Sequence, residues 1–163
     1  LPIGIKVYIT PGNRCSKPTI ERLGLILKNQ KKFKEAIEWY DKALIIQPNY
    51  AEAFVSKGKV MNFIPSSQIS LTGTDKGLSF VQELQREKAI ECYDKALEFD
   101  SRNDMTLVRK GDALHELREL ERALECFDKV IELNPENEVV YNNKGTTCYE
   151  KLHHVWIAEI VSF

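Results

Sequence analysis

The chain has 163 residues, room for one domain and too few for two independent cores, and its 43% hydrophobic and 29% charged residues are globular values. Lys and Arg total 23 against 24 Asp and Glu, so a net charge of −1 supplies no field for gathering nucleic-acid phosphates or anionic lipid. No apolar stretch approaches the roughly 18 residues of a transmembrane span, residues 1–10 lack the features of a secretory signal, and the missing initiator Met suggests a trimmed or partial chain.

Ile3, Ile5, Val7 and Ile9 alternate as a strand would, but the rest of the chain reads as helical and offers such a strand no neighbour. Residues 1–16 are therefore expected to be an extended or disordered lead-in, with pairing to a partner's strand as the alternative. Gly24 then sits in a helical pattern, and a second pattern comes after it in Ala36-Ile37-Glu38-Trp39-Tyr40-Asp41-Lys42-Ala43-Leu44. Ala36, Tyr40, Ala43 and Leu44 share one side of a 3.6-period helix, which Pro48 stops. Gly58 opens a second unit, interrupted at about residues 62–83. The first half of this insertion, Pro65 through Gly77, has loop chemistry. In the second half Leu78, Val81 and Leu84 recur at every third position, so the helix containing Ala89 is expected to begin near Lys76 or Gly77 and to be overlong. The insertion reads as a tolerated loop or as an arm that contacts a partner. Ala89-Ile90-Glu91-Cys92-Tyr93-Asp94-Lys95-Ala96-Leu97 repeats the Ala36 helix, and after Gly111 so does Ala123-Leu124-Glu125-Cys126-Phe127-Asp128-Lys129-Val130-Ile131. Gly145 starts a fourth copy that runs into Val155-Trp156-Ile157-Ala158-Glu159-Ile160-Val161-Ser162-Phe163. That ending is apolar for a terminal helix. It implies truncation, a diverged helix packed back on the stack, or an exposed patch for self-association.

The glycines are spaced 34, 53 and 34, and 53 is the period of 34 plus a 19-residue insertion. Ile20, Leu23, Gly24, Leu27, Ala36, Tyr40, Ala43 and Pro48, echoed by Leu107, Lys110, Gly111, Leu114, Ala123, Phe127, Val130 and Pro135, resemble the 34-residue helix-turn-helix of the tetratricopeptide repeat family. Phe54, Lys57, Gly58, Met61, Ala89, Tyr93, Ala96 and Ser101 give the second copy. The departures are Lys57 and Lys110 in place of Leu before the Gly, and Ser101 in place of the closing Pro. The resemblance implies an all-α, right-handed α-solenoid: a lead-in at 1–16, unit 1 at 17–50, unit 2 at 51–103 with the insertion at about 62–83, unit 3 at 104–137, and a partial or diverged unit 4 at 138–163. Each helical pair leaves an apolar face that only the next pair can cover.

No chemistry beyond binding is visible. Cys15, Cys92, Cys126 and Cys148 contain no Cys-x-x-Cys pair, and Cys92 and Cys126 hold one repeat position, which Trp39 fills in the first unit. Four scattered thiols fit a reducing, cytoplasmic setting. His115, His153 and His154 lack helical zinc spacing, Gly73 to Gly77 lacks the Gly-Lys-Ser/Thr of a phosphate loop, and no nucleophile, base and oxyanion set is found. The expectation is a non-catalytic chain without metal or cofactor.

The resemblance further implies that the first helix of each unit lines a concave groove. Carrying the family pattern over gives Arg22 and Lys28 from unit 1, Lys59 from unit 2, Arg109 and Asp112 from unit 3, and Asn142 and Asn143 from unit 4. Glu21, Leu25, Val55, Ser56, Asn62, Met105, Val108, His115, Thr146 and Tyr149 lie beside them. The amides suit a peptide backbone and the cations suit carboxylates. The family's clamp for a chaperone's C-terminal carboxylate needs Lys and Asn, then Asn, then Lys and Arg; its places hold Glu21, Leu25, Ser56, Met105 and Arg109, so only the last fits. The expected function is a protein-interaction scaffold holding a peptide or helix in the groove, with no nucleic acid or membrane partner. A self-assembling module that forms a homo-oligomer through the C-terminal segment, and a regulatory fragment of a larger enzyme, are the alternatives.

Overall fold

The computed structural model describes residues 17–64 and 75–161, apart from the side chains of 17–22, 75–78, 80, 154–155 and 158–161. The described residues form seven helices and no strand: α1 Lys17–Asn29, α2 Phe33–Ile46, α3 Ala51–Asn62, α4 Asp75–Phe99, α5 Asp104–Glu116, α6 Leu120–Leu133 and α7 Glu138–Val161. Each helix packs on the next, and α1 with α3, α3 with α5 and α5 with α7 also touch. The odd helices thus make one continuous layer, as in an α-solenoid. The lead-in at 1–16 and the centre of the insertion, 65–74, lie outside the described residues.

Two turn designs alternate along the chain. Within a unit, α1 passes to α2 through Lys31 at φ 58° and α5 to α6 through Arg118 at φ 64°. Both left-handed residues are followed by the same capping bond, Lys32 N–H to the Leu27 carbonyl at 2.9 Å and Glu119 N–H to the Leu114 carbonyl at 3.0 Å. Between units, residues 47–50, 100–103 and 134–137 make the same turn, closed by Tyr50 N–H to Gln47 O at 3.2 Å, Asn103 N–H to Asp100 O at 3.3 Å and Asn137 N–H to Asn134 O at 3.2 Å. Ser101 therefore replaces Pro without altering the turn, and Asn103 gains a cap by accepting from Thr106 N–H at 2.9 Å.

In unit 2, Leu84, which stands five residues before Ala89 as Lys31 and Arg118 stand before Ala36 and Ala123, lies inside a 25-residue helix and not in a left-handed turn. α4 starts at Asp75, next to the Lys76 expected from the Leu78, Val81 and Leu84 spacing, and its early half is tied to α5 by Arg86 Nε donating to Glu116 Oε2 at 2.5 Å.

The motif glycines are seats for rings. A Cβ added at Gly58 would lie 2.6 Å from Tyr93 Cε1, one at Gly111 would lie 2.5 Å from Phe127 Cε1, and one at Gly24 would collide with the Tyr40 hydroxyl. Tyr40, Tyr93 and Phe127 are all buried, with Ala36, Ala89 and Ala123 fully enclosed one turn earlier. Small residues on both helices bring the backbones close and the ring fills the gap above the glycine.

The two lysines that depart from the family pattern have a structural reason. Lys57 Nζ meets Asp41 Oδ1 at 2.5 Å, Lys110 meets Asp94 at 2.5 Å and Lys144 meets Asp128 at 2.6 Å. Each pair joins the first helix of a unit to the second helix of the unit before it, with the same separation in sequence each time, so one ion pair recurs at every unit boundary.

Candidate functional site

Among the described residues, the inner layer of odd helices includes two recesses. One, of about 280 Å³ between α1 and α3, is lined by Gly24, Leu25, Lys28, Tyr40, Ser56, Lys59 and Val60. Lys28 Nζ stands 4.2 Å from the Phe63 ring centroid, a cation–π contact that holds the ammonium at the rim. The other, of about 330 Å³ where α3, α5 and α7 meet, is lined by Asn62, Asp112, His115, Glu116, Phe127, Asn143, Thr146 and Thr147.

The second recess is a bonded network. Asn143 Nδ2 donates to Asp112 Oδ1 at 2.7 Å, joining α7 to α5. Thr147, fully buried, donates its single hydroxyl proton to the Asn143 carbonyl at 2.8 Å, so its contact with His115 Nδ1 at 2.9 Å requires Nδ1 to carry the proton. Burial pushes the Asp112 carboxyl above its ordinary range; the Asn143 hydrogen bond and the Arg109 charge pull the other way without cancelling it. Glu116 is already engaged by Arg86. Two buried polar atoms, Asn62 Oδ1 in the recess wall and Arg109 Nε behind it, have no hydrogen-bond partner.

The groove residues expected from the sequence divide accordingly. Lys28 and Lys59 meet in the first recess, and Asp112 and Asn143 meet in the second. Arg109 is half-buried on α5 and lines neither, acting on the second recess through its charge on Asp112. Asn142 is exposed on α7, its carbonyl accepting from Thr146 Oγ1 at 3.0 Å. The Arg22 side chain lies outside the described residues. Thr147 and Glu116 were not among the expected positions. Nothing in the local pattern marks Thr147, whose importance comes from facing His115 on a different helix. No helix among the described residues is long and apolar enough to cross a membrane.

No curated protein matches the chain. Among solved structures, the first tetratricopeptide domain of Spaghetti (RPAP3) bound to an HSP90 peptide is similar at TM-score 0.64 and 18% identity, covering 83% of this chain and 94% of that one. The Sgt2 tetratricopeptide domain from Aspergillus fumigatus is similar at TM-score 0.64 and 19% identity, over 84% of this chain and 80% of that one. MamA from Desulfovibrio magneticus RS-1 is similar at TM-score 0.64 and 20% identity, over 91% and 73%. These likenesses are of fold. Tetratricopeptide repeat models match residues 21–50 and 105–137, and a second such model matches 75–103, together more than half the chain. With the ring-on-glycine pairs and the odd-helix layer, these matches establish that the chain belongs to the tetratricopeptide repeat family.

Proposed function

We propose that this protein is a cytoplasmic, non-catalytic interaction module of three units, 17–50, 51–103 and 104–137, and a partial fourth at 138–163, whose inner groove holds a peptide or helix of a partner protein, with an extended peptide the better fit. The observation that carries this reading is the difference between the two recesses on one face. Lys28 and Lys59 favour a carboxylate or carbonyl. Asn62, with its unpartnered acceptor, and Asp112, whose carboxylate is held at an energetic cost, favour a donor such as a Lys side chain or a backbone N–H. Arg109, Asn142 and Asn143 border the same track, and Arg22 belongs to it by position.

A ligand with an acceptor at the α1–α3 end and a donor at the α5–α7 end fits this polarity. The RPAP3 domains bind acidic HSP90 and HSP70 peptides, whereas an all-acidic tail here would set a carboxylate against Asp112. This and the absence of the clamp residues point to a different class of peptide.

The test is binding to arrayed short peptides that pair one acidic and one basic residue at varied spacing. Lys28→Glu/Lys59→Glu should lose the acidic-end preference and Asp112→Asn the basic-end preference, each by about tenfold, the scale of one charged contact at an interface. If both variants select the same peptides as the intact chain, the groove is not the site.

A further inference from the structure

Gly145 occupies the place of Gly24, Gly58 and Gly111, but where each of those is roofed by a ring, a Cβ built on Gly145 meets nothing within 4 Å. The surrounding positions repeat the contrast. Leu107 and Leu114 of α5 are 5% and 0% exposed beneath α6, while their counterparts one repeat later are Tyr141, 49% exposed, and Cys148, half-buried. α7 continues as helix through Leu152, the counterpart of Arg118, instead of turning, and no second helix among the described residues folds over it. The counterparts of Ala123 and Phe127 are Ile157 and Val161, neither the small residue nor the ring that this contact uses three times elsewhere.

The uncovered face is coherent. Tyr141, Gly145, Tyr149, Leu152 and Trp156 are spaced four, four, three and four apart, which places them on one side of the helix. Tyr149 is 70%, Leu152 69% and Trp156 60% exposed. The charges between them point elsewhere: Lys144 pairs with Asp128 and Lys151 with Glu121, both on α6, and Glu150 pairs with Arg118 in the turn before α6. The exposed Glu138, three residues before Tyr141, stands at the N-terminal edge of this face, outside the stretch from Tyr141 to Trp156.

We propose that a second copy of this chain covers this face, the two α7 helices crossing antiparallel so that Tyr149 of each seats its ring on Gly145 of the other. The ring that fits the empty seat is already present one helical turn away and exposed. A two-fold axis level with Thr147 makes the exchange reciprocal, as an isologous interface requires. Leu152 and Trp156 then lie along the opposing α7 beside its Tyr141. This is the ring-on-glycine contact of the three complete units made between chains, and it needs no groove ligand.

Sedimentation equilibrium of the intact chain tests the proposal beside Gly145→Ala, Tyr149→Lys and the groove variant Arg109→Glu/Asn143→Ala. The intact chain should form dimers. Gly145→Ala puts a methyl group in open space in the monomer but under the Tyr149 ring in the dimer, so it should weaken association at least about tenfold while the helical content and melting of the monomer hold or improve. Tyr149→Lys should do the same, and the groove variant should dimerise normally even where it has lost its peptide. An intact chain that stays monomeric at every concentration, a dimer that survives both α7 substitutions, or a monomer whose α7 face is taken by an unrelated helix overturns the proposal.

Discussion

Gly111 and Gly145 are one repeat position with opposite surroundings, and the same substitution should act on them with opposite sign. Gly111→Ala drives a methyl group into the buried Phe127 ring and should cost about 1–3 kcal/mol, the usual penalty for overpacking. Gly145→Ala meets nothing and should gain about 0.5–1 kcal/mol from helix propensity. Urea unfolding of both, at concentrations too low for association, measures the difference; equal signs would contradict the ring-on-glycine account. Asp112 yields a pH-dependent expectation. Its carboxyl is raised by burial, so the folded state holds the proton more tightly than the unfolded chain, and stability falls as pH rises from the unfolded carboxylate range through the raised folded value. Asp112→Asn keeps an oxygen to accept from Asn143 and removes this penalty, so it should equal or exceed the parent in stability at pH 7, with the advantage closing below about pH 4. Melting curves across that range check the sign. Lys57 and Lys110 show what the sequence held but did not explain. Asp41, Asp94 and Asp128 precede Lys57, Lys110 and Lys144 at one constant spacing, open to inspection, whose meaning emerges only once adjacent units are stacked. Because the aspartates are 46–52% exposed, each pair contributes modestly, and Lys110→Met should change stability by less than about 1 kcal/mol.

At the scale of elements, the turns separate what was legible from what was not. The helices and the 34-residue period follow from glycine, alanine and ring spacing because those residues meet within a single unit. The overlong α4 follows from Leu78, Val81 and Leu84 for the same local reason. The left-handed turns do not: Lys31 and Arg118 hold the positive φ where Gly or Asn is the usual signal. Lys31 has no residue identity that signals its conformation. Its geometry is imposed by α1 and α2 packing through Gly24 and Tyr40. Lys31→Gly should therefore relieve left-handed strain of about 1–2 kcal/mol and return part of it as unfolded-state entropy, a net gain below about 1 kcal/mol. A loss of stability would mean that the Lys31 side chain contributes more than its backbone costs. The groove recesses were legible only by family analogy, since Asn62, Asp112 and Asn143 come from three units and have no shared local pattern. The unfinished α7 was half legible. Its apolar ending was plain, but the sequence left open whether the segment folds back, and Ile157 in the place of Ala123 is too large to do so at the same backbone distance.

For the whole molecule, the division of the core sets how the stack should open. One cluster runs from Met61 and Ala89 through Leu114 and Phe127 to Val140, joining α3, α4, α5, α6 and α7. A smaller one, Phe33, Ala36, Tyr40, Ala43, Tyr50, Ala53 and Val60, joins α2 and α3. Among the described residues, only Ile37 packs partly against both. In a quasi-one-dimensional stack each unit is stabilised by its neighbours, so interior units have two interfaces and end units one. Native-state hydrogen exchange should then be slowest in α4, α5 and α6, intermediate in α2 and α3, and fastest in α1 and in α7 beyond Leu152. Gly111→Ala should lower protection across the whole larger cluster while leaving α1 and α2 closer to the parent, because its ring contact lies at that cluster's centre. Uniform protection in all seven helices, or an equal drop in both clusters, would show that the stack opens as one unit. Dimerisation through α7 makes a separate mark on the same measurement. Raising the protein concentration should slow exchange in α7 near Gly145 and Tyr149 and leave α1 unchanged, since only the covered end gains a second interface.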